Sequence, residues 1–266
     1  MKRLSLILLA FIGVLLIAAV VIGMATMRVE ITYEPQTDPD ALVQPVRFGH
    51  SNIYLISADD GYVLVDAGMP GSEQKLDEVF ALTGIDPTEV RLIVATHGHM
   101  DHIGVLAHAK QITGAPLAAH ASIAEVLKAG EYEDAVAQSW MGSILNTMTA
   151  ILMATYEIEP VTLDILIENG LDLADFGVQG RIVHTRGHSP SSLSILLDSG
   201  EVVIADMVRE EPGGQIGPGM FYADKDRLIE SLKLVAEESP ETIYLSHGDR
   251  IDPESFMAAI AGLENS

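Results

Sequence analysis

The chain has 266 residues, no cysteine, and 15 lysines and arginines against 38 acids, a formal charge of −23. The absence of cysteine rules out disulfides, thiolate metal sites and cysteine nucleophiles. All 38 acids lie beyond Arg28, where 12 basic residues remain once Lys2, Arg3 and Arg28 are set aside, so this part carries a formal −26. It offers no basic track for nucleic acid and no charge-driven attraction to anionic lipid.

Met1-Lys2-Arg3 precedes an almost purely apolar run from Leu4 to Met27. As a helix this run would span roughly 35 Å at ~1.5 Å per residue, against a bilayer core of about 30 Å. A secretory signal has a shorter apolar region, followed by a small-x-small cleavage site. Gly23-Met24-Ala25 supplies such a context, but the length favours an uncleaved transmembrane anchor over a cleaved signal peptide for residues 1–27. By the positive-inside rule the N-terminus is then cytoplasmic and everything after Arg28 extracytoplasmic. Residues 28–45, with Pro35, Pro39 and Pro45, read as a linker, and residues 46–266 as one domain.

Two strands, 51–57 and 62–66, flank the tight turn Asp59-Asp60-Gly61, and the second ends on Asp66. Ser72 opens a helix to about Thr83. The apolar run Arg91 to Ala95 is a short buried strand, and Thr96-His97-Gly98-His99-Met100-Asp101-His102 comes directly after it. On a loop leaving a strand, His97, His99 and Asp101 can converge, while His102 turns to a neighbouring site. Imidazole and carboxylate suit zinc and similar divalent ions. A helix over 104–113, a strand at 116–119 and a helix at 121–129 come next.

Trp140, Ile144, Leu145, Met148, Ile151, Leu152 and Tyr156 recur at helical spacing. That is the stripe of a core-facing helix; its functional reading is a mobile apolar lid or a patch resting on a membrane. Strands occupy 161–167, 180–184, 192–197 and 201–205, then a Gly/Pro-rich loop over 209–222, a helix at 224–238, a strand at 242–246 and a last helix from Pro253. Strand-rich halves, each with helices outside, give two packed sheets covered by helices. His188, Asp206 and His247 each stand at a strand end, where loops gather at one edge of such a sandwich.

The ordered set His-x-His-x-Asp-His, Gly-His-Ser-Pro, Ile-Ala-Asp and Leu-Ser-His-Gly resembles the metallo-β-lactamase-fold superfamily of metallo-hydrolases over about residues 45–262. The resemblance implies an α/β fold, an αββα four-layer sandwich with a dinuclear site at one edge. It gives His97, His99 and His188 to one metal, Asp101, His102 and His247 to the other, Asp206 as the bridge, and Asp66 behind them as an orienter. His184 is not counted as a ligand, His50, His108 and His120 take no role, and Ser189, Ser191 and Ser192 are turn and cap residues.

The expected chemistry is hydrolysis by metal-bound hydroxide, with Asp101 and Asp206 catalytic and two Zn2+ (iron or manganese as the alternative) as cofactors. A family β-lactamase has cysteine or serine where Asp206 stands, and a family lactonase has a phenol where Arg209 stands. The substrate expected is a small ester, thioester or lactone, apolar or acyl-bearing, contacted by Arg209, Tyr222 and Trp140. The alternatives are a mononuclear iron persulfide dioxygenase, leaving His102 and His247 idle, a β-lactam hydrolase, and a non-catalytic metal-binding protein.

Overall fold

The computed structural model describes residues 30–265 apart from Thr155 and Pro212. The first sheet is built from β1 (Ile31–Thr32), β2 (Val43–Phe48), β3 (Ser51–Ala58), β4 (Gly61–Val65), β5 (Val90–Val94), β6 (Leu117–His120) and β7 (Ile165–Ile167), in that spatial order. It is antiparallel from β1 to β4 and parallel from β4 to β7. Its connections carry α1 (Glu73–Thr83), α2 (Met100–Ile103), α3 (Leu106–Thr113), α4 (Ala124–Ala129) and α5 (Trp140–Met153).

The second sheet is made entirely of strands later in the chain. β8 (Gly170–Asp172), β9 (Gly180–His184), β10 (Leu193–Leu197), β11 (Glu201–Val203) and β14 (Thr242–Tyr244) lie in the order β14-β11-β10-β9-β8. The short ribbon β12 (Arg209–Glu210) and β13 (Ile216–Gly217) stands apart, and α6 (Lys225–Glu237) and α7 (Pro253–Glu264) cover the outer face. Chain order and spatial layer therefore coincide: residues 31–167 make the first sheet and residues 170–244 the second.

Strand alternation produces three apolar layers. Ile53, Leu55, Leu64 and Ile93 face outward against Leu76, Val79 and Phe80 of α1. Their neighbours Tyr54, Ile56, Val63 and Val65 face inward against Ile182, Ile195 and Val203 of the second sheet. Leu196 and Val202 face the far side, against Leu228, Leu232, Phe256 and Ile260 of the last two helices. Helix, sheet, sheet, helix is the expected four-layer sandwich.

Several expectations are corrected. The stretch read as a linker contributes strand residues to the first sheet at 31–32 and 43–45: Ile31 pairs with Phe48 and Val43 with Ile56. Ser72 precedes α1, but its hydroxyl donates to the Met69 carbonyl (2.5 Å) rather than capping the helix. Helical structure begins at Met100 rather than Gly104, and β8 was not anticipated. The 140–156 stripe is not core. Of the described residues of α5 only Gly142 and Met153 are buried, and Trp140 is 74% exposed.

The membrane placement is corrected as well. No helix among the described residues is long and apolar enough to cross a membrane, and the expected transmembrane helix within residues 1–27 lies outside those residues. A membrane-anchored, extracytoplasmic location therefore has no support in the structure.

Candidate metal centre

Every sequence-expected ligand arrives at one edge of the sandwich. Potential ligand atoms of His97, His99, His188 and Asp206 lie within 4.8 Å of one another, as do those of Asp101, His102 and His247. The first sheet supplies the loop after β5. The second supplies the ends of β9, β11 and β14. Because β11 and β14 run parallel with Val203 opposite Tyr244, Asp206 and His247 each stand three residues past a paired position, side by side.

The sheets are pinned together here. Asn52 of β3 donates its side-chain amide to the carbonyls of Leu245 (2.8 Å) and Gly248 (2.7 Å), and the Tyr54 hydroxyl donates to Leu245. The Leu193 amide reaches the Thr96 carbonyl at 2.8 Å.

His97, His102 and His247 are each held by Nδ1, leaving Nε2 for the centre. Asp66, fully buried at φ 63°, accepts from the Thr96 amide at 2.8 Å and the Thr96 hydroxyl at 2.9 Å, and lies 2.8 Å from His102 Nδ1. A left-handed aspartate costs strain of about 1–3 kcal/mol, which these contacts offset. The Thr96 hydroxyl also lies 3.0 Å from His97 Nδ1, so one carboxylate orients two histidines, the second through a hydroxyl. His247 Nδ1 donates to the His50 carbonyl at 2.8 Å.

The inward atoms meet in a pattern that hydrogen bonds do not explain. His97 Nε2 and His188 Nε2 each stand 3.0 Å from His99 Nδ1. His102 Nε2 and Asp206 Oδ1 are buried without a hydrogen-bond partner. Such orphaned donors and acceptors are costly unless a cation collects them, and this donor set fits a divalent ion.

Charge completes the picture. Burial drives His97, His99 and His188 down, the last to about 3, so these imidazoles are neutral. Burial also pulls on His102 and His247, but the surrounding carboxylates outweigh it, lifting His102 well above its ordinary value and His247 to about 9. Burial pushes Asp101 and Asp206 up, yet the His102 and His247 charges hold both below the carboxylate range.

A cleft of about 550 Å³ opens onto the centre, with Met69, Met100, Tyr132 and Phe221 among its walls. Arg209 lines it. Tyr222 does not; it packs against the outer core beside α6, and Trp140 is at the exposed start of α5. His184 stays outside the centre, donating Nε2–H to the Pro190 carbonyl (2.8 Å) with its ring 4.0 Å from that of His120. His108 pairs with Asp77, and Ser189, Ser191 and Ser192 form a buried hydroxyl cluster, as their turn role requires.

Two contributors escaped the sequence. His50 lends its carbonyl to His247 and its ring to the cleft wall. Glu133, also on the wall, accepts from the Gly98 amide at 2.9 Å and from the Ser191 hydroxyl. Neither lies near a motif, and a backbone carbonyl carries no side-chain signature.

Clustered imidazoles and carboxylates at the mouth of a cleft, on this fold, are the site of a metal-dependent hydrolase, and the comparisons with known proteins agree. The chain belongs to the metallo-beta-lactamase superfamily, whose family profile matches residues 46–247. It is similar to the probable metallo-hydrolase YflN of Bacillus subtilis, with 24% identity covering 81% of this chain and 87% of that one. The probable metallo-hydrolase YqgX of the same organism is 26% identical over 78% of this chain and 90% of its own. Among solved structures, the superfamily protein ST1585 from Sulfolobus tokodaii superposes with a TM-score of 0.59 at 23% identity, covering 81% of this chain and 80% of that one. TTHA1623, solved in a di-iron-bound form, superposes with a TM-score of 0.56 at 22% identity, covering 84% and 96%. At such identities these structures establish the fold.

Proposed function

We propose that the centre holds two divalent ions, zinc by its donor chemistry, and that the protein cleaves an ester, thioester or lactone of a small apolar or acyl-bearing molecule. The observation that carries this reading is the pair of adjacent donor clusters with orphaned inward atoms. His97, His99 and His188 would hold one ion, Asp101, His102 and His247 the other, with Asp206 between them. Its carboxylate lies 3.0 Å from His247 Nε2 and 3.7 Å from His188 Nε2, within reach of both clusters.

Two such ions, when bound, would supply an acidified water and polarise the scissile group. The chain's own residues do the rest. Asp101, on the cleft wall, would hold the attacking water by a hydrogen bond and, as the new bond forms, pass that water's proton to the leaving atom, which requires only hydrogen-bond reach. Asp66 and the His50 carbonyl fix the tautomers of His102 and His247. Met69, Met100, Tyr132 and Phe221 exclude water from an apolar substituent, and Arg209 offers a cation to an anionic one. The completeness of the second cluster favours this over a mononuclear iron oxygenase, which would leave His102 and His247 without work.

Elemental analysis of protein produced without added metal tests the reading. About two zinc ions per chain are expected; about one iron with little zinc would overturn the hydrolytic assignment. With metal content settled, KM across a series of lactones and esters should fall with acyl length, and a flat series would sink the apolar-substrate part.

A further inference from the structure

Glu133 lies 34 residues beyond His99 in sequence yet touches both loops that carry the first donor cluster. Its backbone amide donates to the Gly98 carbonyl at 2.7 Å, and its Oε2 accepts from the Gly98 amide at 2.9 Å. The same oxygen accepts from the Ser191 hydroxyl, three residues past His188. Gly98 sits between His97 and His99, and a Cβ there would fit only if the Glu133 side chain shifted. Such an atom would lie 2.7 Å from Glu133 Cγ.

Beyond Glu133 the chain is fastened again. Tyr222 donates its amide to the Val136 carbonyl at 3.0 Å, Gln138 donates to Met220 at 2.9 Å, and the Asn146 side chain of α5 donates to Ala135 at 3.0 Å. Residues 133–138 thus form a strap from the first donor loop, across the cleft wall, to α5.

We propose that Glu133 is a positioning residue of the first cluster, one carboxylate oxygen setting the spacing between the 97–99 loop and the 188–191 loop and tying both to the strap. This rests on the metal-centre reading above. The bond pattern assigns the role to the acceptor oxygen rather than to charge. Both hydrogens converge on one atom, so a glutamine that presents its amide oxygen satisfies them equally, whereas alanine leaves both donors without it.

Cobalt(II) titration of the full metal-free chain, monitored by visible absorption, tests this. Glu133→Ala should weaken cobalt binding at least tenfold and change the band shape, in line with the roughly 10–100-fold cost of removing groups that orient ligands. Glu133→Gln should stay within about threefold of wild type, and Ser191→Ala should lie between. Wild-type affinity and spectrum in Glu133→Ala would overturn the proposal, as would Glu133→Gln behaving like Glu133→Ala. If Glu133→Ala does not fold, as judged by thermal melting, an unchanged Ser191→Ala spectrum is the overturning result. A wild-type chain that takes up no cobalt would instead sink the metal reading itself.

Discussion

The histidines of the two clusters are prepared differently, and the difference can be measured. His97, His99 and His188 are neutral at pH 7 because burial disfavours their charged forms. His102 and His247 face Asp101 and Asp206 and hold protons, His247 up to about pH 9. An ion needs neutral imidazole, so it must displace protons only at the second cluster. Calorimetric titration with zinc at pH 7, repeated in buffers of different ionisation enthalpy, should report the release of about two protons on filling that cluster. Its affinity should rise with pH toward about 9, while the first cluster changes little above its low titration range. Equal proton release from both clusters would contradict this assignment. In the metal-free protein the sign runs the other way. A raised folded-state value stabilises at low pH, so the His247 contribution is present below its unfolded value and is lost as pH climbs through about 9.

The clustered histidines and aspartates were legible because a dense local motif carries its chemistry in the side chains. Three further strand-end residues gained meaning from being ordered behind it. Asp66 was legible through its strand-end position. The residues that escaped, Glu133 and His50, act across long separations, one through a loop contact and the other through its peptide carbonyl.

Individual elements show where periodicity misleads. The 140–156 stripe has helical spacing and forms a helix, but spacing identifies an apolar face without naming what covers it. In α5 that face is largely exposed: Ile144 is 50% and Ile151 63% accessible. Replacing both with serine should change the unfolding free energy by less than about 1 kcal/mol in urea titrations. Leu76→Ala in α1, at a fully buried position, should cost about 2–5 kcal/mol. A large loss from the α5 pair would restore the core reading.

The first strands show the opposite error. Pro35, Pro39 and Pro45 suggested a linker, yet Pro45 lies within β2 opposite Tyr54. β1 pairs only with Arg47 and Phe48, so on that side β2 is a free edge at Pro45 and the missing amide costs no ladder bond.

At the scale of the whole molecule, acidity and the metal centre act together. A chain with a formal charge of −23 that gathers two of its carboxylates, Asp101 and Asp206, in one centre is destabilised by self-repulsion, which bound cations relieve. Ions that bind only the folded state stabilise it by about 2.7 kcal/mol at a hundredfold excess over Kd. For a domain of this size that corresponds to a Tm increase of roughly 5–10 °C. Scanning calorimetry with chelator and with zinc should show that gap. Superposable melting curves would mean that the clusters hold no ion tightly. The layered architecture itself was readable, since strand alternation and strand-rich halves are visible along the chain. The pairing order within each sheet was not, because it depends on contacts distant in sequence.

The coincidence of chain order with layer has a consequence for biosynthesis. His97, His99, Asp101 and His102 emerge from the ribosome with the first sheet; His188, Asp206 and His247 come only with the second. Neither cluster is complete in either half, so metal capture at the full sites must be one of the last events of maturation. For the same reason, two fragments cut between residues 167 and 170 would each carry an incomplete set of ligands. Added metal would then act as the fastener that draws the separated halves into one molecule.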